Sequence, residues 1–219
     1  MSTTMSSRFG TFELLRIFIP GAYLMFIIFL FCYTFEIPLP FFGFPELFFL
    51  IYLIGSFLAG LTLYAKETPK KRKAFQANQP SVFILERSRI LSPATPLSDA
   101  EARRLYFYIL NHEMPIVVHD KIFFFGMIYT VMANIRRTSF WFGILGIASL
   151  IVQYVLRPFC SLEALISVIS VWIVYTLNVT YNKADRKMQE NFFDQIFWLE
   201  MNIEKVDALI HHRTAAKKA

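Results

Sequence analysis

Charge is missing from four stretches of this sequence. Windows of 19 residues without one Asp, Glu, Lys or Arg run over Ile17–Phe35, Leu47–Ala65, Thr138–Leu156 and Ala164–Asn182. As a helix each measures about 28 Å at ~1.5 Å per residue, close to a ~30 Å hydrocarbon core. Backbone that crosses a bilayer must satisfy its own hydrogen bonds, so the windows read as helices. The 56% hydrophobic content of the 219 residues agrees, since soluble domains sit nearer ~45–50%. The expected fold is an all-α membrane protein with four transmembrane helices. No span carries a charged side chain at mid-membrane, which argues against proton-coupled pumps and voltage sensors.

Other absences narrow the chemistry. The two cysteines, Cys32 and Cys160, make no disulfide framework, and whether they pair is left open. Phe31 directly before Cys32 is too bulky a neighbour for a lipidation site. The first apolar run is too long for a cleavable signal peptide, and no small-x-small site follows it. There is no Gly-rich phosphate loop, nucleophile elbow or paired-cysteine motif. His112, Glu113, His119 and Asp120 form the one cluster resembling metal or acid–base chemistry. Its spacing matches no metalloprotease or calcium-loop pattern, and Pro115 keeps the histidines off one helical face. His211 and His212 are adjacent and point different ways on a helix. The sequence therefore nominates no catalytic, cofactor or metal residue.

What is abundant is positive charge, and it is one-sided. The loop Glu36–Glu46 holds no Lys or Arg, and Arg157–Glu163 holds one of the 22, leaving 21 elsewhere. Basic flanks stay cytoplasmic, so both termini and the middle segment are expected on the cytoplasmic face of the plasma membrane. The net charge of +6 is then positive-inside bias rather than a nucleic-acid signal. Lys66, Lys70, Lys71, Arg72 and Lys73 sit directly after the second window, where each is attracted to anionic lipid by ~1 kcal/mol.

The chain divides into four parts: a hairpin over 1–65, a middle segment over 66–137, a second hairpin over 138–182 and a C-terminal part over 183–219. In the first window, Pro20–Gly21 predicts a kink or a late helix start. In the second, Gly55, Ser56, Ala59 and Gly60 make two overlapping small-xxx-small pairs, a stripe for close helix approach. In the fourth, Ser167, Ser170, Thr176, Asn178 and Thr180 interrupt the Ile and Val. Asn178 is expected to bond across helices. Thr68–Pro96 reads as loop, with Val82–Leu85 a short strand or helix. Ser98 with Glu101 is a capping box that opens a helix ending near Asn111 before Pro115. So polar a middle segment is expected to lean on the membrane or a partner. Ile122–Ile135 is too short an uncharged run to span and reads as an interfacial elbow before Arg136 and Arg137.

Lys183–His212 contains no Pro or Gly and reads as one helix. Phe192, Ile196, Leu199, Ile203, Val206 and Ile210 repeat at ~3.5 residues, a heptad seam for another copy or another protein. Phe193, Phe197 and Trp198 widen it. Four short spans, a minimal outer face and this trailing helix resemble the small four-span membrane subunits of bacterial phage-defence systems, such as the Kiwa membrane component. The resemblance lies in layout alone and carries over no residue. It implies a sensor or permeability effector in anti-phage defence. The residues themselves point to a non-enzymatic membrane subunit. It would form a homo-oligomer, a dimer or tetramer, and dock a cytoplasmic protein with no cofactor. A stand-alone channel or transporter, and a membrane enzyme acting on lipid, are the alternatives.

Overall fold

In the computed structural model, residues 3–38, 44–65, 79–156, 161–181 and 183–215 are described. Every regular element among them is a helix: α1 (Thr3–Thr34), α2 (Pro45–Ala65), α3 (Pro80–Leu91), α4 (Asp99–His112), α5 (Ile116–Leu156), α6 (Leu162–Tyr181), α7 (Lys183–Met201) and α8 (Ile203–Ala215). Four segments are long and apolar enough to cross a membrane: Gly10–Thr34, Pro45–Ala65, Val117–Leu156 and Leu162–Met201. The chain folds as two compact units, one of Met1–Glu67 with Met127–Ala184, the other of Thr68–Gly126 with Asp185–Ala219.

The first unit holds the two hairpins. α1 runs unbroken through Pro20, so the late start suggested by Pro20–Gly21 does not occur. It ends in a left-handed turn, with Glu36 at φ 53° and the Ile37 N–H donating to the Cys32 carbonyl at 2.8 Å. α2 lies antiparallel to α1: Phe29 meets Phe48 at 4.8 Å between ring centres, and at the other end the Tyr64 hydroxyl donates to Glu13 at 3.2 Å. α5 runs parallel to α1, because Arg16, Tyr23 and Phe31 meet Thr130, Ser139 and Phe142 in that order. α6 returns antiparallel to α5, with Phe140 beside Tyr175 and Met132 beside Asn178.

α5 shows no break at the expected elbow. It is one helix of 41 residues, roughly 60 Å at ~1.5 Å per residue, and Arg136 and Arg137 lie inside it. Within the first unit, Met127, Tyr129, Thr130 and Val131 are buried. The uncharged run is part of the same helix, and from Met127 onward it packs within the first unit.

The second unit is built from α3, α4, the start of α5 up to Gly126, α7 from Asp185 onward and α8. The segment read as loop contains α3, started by Pro80 in the first turn, where a missing N–H costs nothing. α4 opens with the complete Ser98–Glu101 capping box. Ile84 of α3 and Ala102, Leu105, Ile109 and Leu110 of α4 form a core with Leu199 of α7 and Val206 and Ile210 of α8. Burial of each large member is worth ~1.5–3 kcal/mol. Arg87 donates twice to Asp207, at 2.9 and 2.6 Å. That contact holds the Asp207 carboxyl below its ordinary range and raises the guanidinium. The Tyr106 hydroxyl donates to Gln195, and burial pushes the phenol upward.

The C-terminal helix is interrupted at Asn202. Its side-chain amide donates to the Trp198 carbonyl at 2.9 Å, while its own carbonyl accepts from Lys205 and Val206. Asn competes for backbone partners in this way, and neither Pro nor Gly is needed to split the heptad run.

Candidate functional site

The stripe on α2 faces α1. Ser56 is fully buried and Gly60 buried, while Gly55 and Ala59 are half-buried. A Cβ placed on Gly60 would lie 2.1 Å from the Ile17 carbonyl oxygen, and one on Gly21 would lie 1.8 Å from the Ser56 carbonyl oxygen. Backbone meets backbone at both points. Gly55 differs, since its Cβ would meet the end of the Met25 side chain at 2.6 Å. Gly21 escaped the sequence reading because Pro20 drew attention to kinking. Its antiparallel register with Gly60 was the available signal.

A ladder of polar contacts ties α1 to α5 and α6. The Arg16 guanidinium donates to Thr130 at 3.1 Å and to Glu13 at 3.3 Å. Further along, Tyr23 and Ser139 share a 2.6 Å hydrogen bond. Ser139 gives its own proton to the Ile135 carbonyl, so Tyr23 is the donor. Near the far end Thr34 donates to the Leu30 carbonyl, so Ser167 donates to Thr34 at 3.1 Å. The Asn178 side-chain amide donates across to the Met132 carbonyl at 3.2 Å. Ser170, Thr176 and Thr180 lie on the exposed side of α6. The polar residues of the fourth span therefore point different ways rather than along one path.

The heptad seam is partly closed within the chain. Leu199, Val206 and Ile210 are at most 1% exposed, sealed in the core of the second unit. Their assignment as a docking face for another protein is corrected: α3 and α4 supply the apolar partner that the seam requires. Phe192, Ile196 and Ile203 are half-buried. What stays open on α7 is the neighbouring stripe Phe193, Phe197 and Met201, at 57%, 63% and 70% exposure. Steps of four residues place these on one face.

The cluster around His112 is dispersed. His112 Nδ1 meets the Tyr108 carbonyl at 3.0 Å, Glu113 pairs with Lys205, and His119 meets the Asn111 side chain at 3.2 Å. Among the described residues no three His, Cys, Asp or Glu side chains are grouped to hold a metal ion. Lys66, Lys70, Lys71, Arg72 and Lys73, the expected lipid cluster, and Cys160 lie outside the described residues.

No family model, curated protein or solved structure matches the chain.

Proposed function

We propose that this chain is a non-enzymatic, multi-pass membrane subunit whose cytoplasmic unit docks another protein. The observation that carries the reading is the stripe Phe193, Phe197 and Met201. It stays exposed on a unit that has already closed its own core. Large apolar side chains aligned on a folded helix mark contact surfaces. In full-length protein, Phe193→Asp with Phe197→Asp should abolish cross-linking to the docked protein and leave the melting profile of the chain unchanged. Unaltered cross-linking overturns the assignment.

Topology supports the same reading. Parallel α1 and α5, each paired with an antiparallel neighbour, suit spans that leave both termini on one face, and the 21 basic residues favour a cytoplasmic face. Reporter fusions after Lys73 and at Ala219 should read cytoplasmic, and one after Pro40 external. An external C-terminus ends the four-span arrangement. The layout shared with phage-defence membrane subunits makes phage challenge of expressing cells the assay for a biological role.

A further inference from the structure

The exposed stripe of α7 runs through an acidic stretch. From Met188 to Glu204 every charged residue is an acid: Glu190, Asp194, Glu200 and Glu204. The chain as a whole carries a net charge of +6, so the sign is local to this face. Helical spacing sets the acids beside the stripe. Glu190 precedes Phe193 by three residues, Asp194 precedes Phe197 by three and Glu200 follows Phe197 by three. Glu204 lies in the first turn of α8, three residues after Met201. All four are exposed. Two are answered within the chain, Glu190 by Lys187 and Asp194 by Lys121. Among the described residues Glu200 and Glu204 form no ion pair. A bilayer surface and a protein are the two covers for an apolar stripe on such a chain. Carboxylates at this density keep the face out of hydrocarbon, and an anionic leaflet repels them. Helices that adsorb to lipid carry Lys and Arg on their polar face, and this stretch has neither. A protein remains, and the rim charge selects its sign. The stripe spans two helical turns, about 12 Å, and its steps of four residues form a ridge that fits the groove of a facing helix.

Resting on the docking role of this stripe, we propose that its occupant is a basic amphipathic helix. Apolar side chains of that helix pack on Phe193, Phe197 and Met201, and Lys or Arg on its flanks meets Glu200 and Glu204. The full chain in phosphatidylcholine nanodiscs is panned with displayed helices that share one Leu stripe and carry Lys, Gln or Glu at the flanking positions. Empty nanodiscs serve as counter-selection. Lys-flanked helices should be enriched over Glu-flanked ones by roughly fivefold or more, and the preference should fade at high salt because the charges stand on an exposed rim. Glu200→Lys with Glu204→Lys should reverse the preference, and Glu200→Gln with Glu204→Gln should remove it. These positions are exposed, so the fold tolerates both pairs. In nanodiscs that also contain phosphatidylglycerol, a Phe197→benzoylphenylalanine chain should cross-link an enriched helix rather than lipid. Enrichment that needs Phe193 and Phe197 but ignores flank charge, or favours Glu, overturns the basic partner and leaves the docking reading standing. Cross-linking to lipid alone overturns the partner in favour of the membrane surface. Enrichment no greater than on the Phe193→Asp, Phe197→Asp chain overturns both.

Discussion

In the first hairpin a glycine meets a carbonyl; in the second a glycine meets an indole. Gly21 and Gly60 let α1 and α2 touch through their backbones. α5 and α6 meet through rings, with Trp172 against Gly143 and Phe140 tilted against Tyr175. Inside lipid no hydrophobic gain separates the two designs, because acyl chains are as apolar as Leu. Both rely on dispersion and interhelical hydrogen bonds. They differ in what can yield. A carbonyl moves only if its helix moves, whereas a ring can turn.

That difference sets an order of damage. Gly60→Ala should cost the most, about 3 kcal/mol, read as a lower melting temperature of the purified chain in detergent. A loss no larger than at Gly143 would show that α1 and α2 separate without penalty. Gly143→Ala comes next, about 1–2 kcal/mol, because the Trp172 ring 2.8 Å from the new Cβ can rotate away. An additional Trp172→Leu change should recover part of it. The rung joining the hairpins should be weaker: a double-mutant cycle of Tyr23→Phe and Ser139→Ala should give a coupling of about 0.6 kcal/mol. Gly55→Ala should sit within about 0.5 kcal/mol of the starting chain, since the facing Met25 is flexible and Ala favours a helix. A large loss at Gly55 would erase the distinction between backbone and side-chain contact.

The four helices long and apolar enough to cross a membrane were legible because charge exclusion over 19 residues is a one-dimensional signal that needs no partner. The Ser98–Glu101 cap was equally local. The elbow over Ile122–Ile135 was expected as a separate helix because length alone does not reveal that the helix runs on without a break. The seam Leu199, Val206 and Ile210 was visible, but a heptad names a need for a partner without naming the partner. That partner was Ile84, Leu105 and Ile109, in a segment whose own apolar residues looked too few for a core. Each half seemed incomplete because the core is shared across distant stretches of sequence. Phe193 and Phe197 were noticed as widening the seam, and their separate exposure emerges only once the seam is closed.

The interleaving of the two units has a consequence in time. α4 leaves the ribosome well before α7, with α5 and α6 made in between. At ~5–20 residues per second that delay is on the order of 5–20 s. For that interval Ile84, Leu105 and Ile109 pack only on their own segment and lack Leu199, Val206 and Ile210. A chain that stalls after α6 would carry an open apolar surface, the kind of segment that chaperones hold and quality-control proteases cut. Closure of the second unit thus waits on α7 and α8, which supply Leu199, Val206 and Ile210.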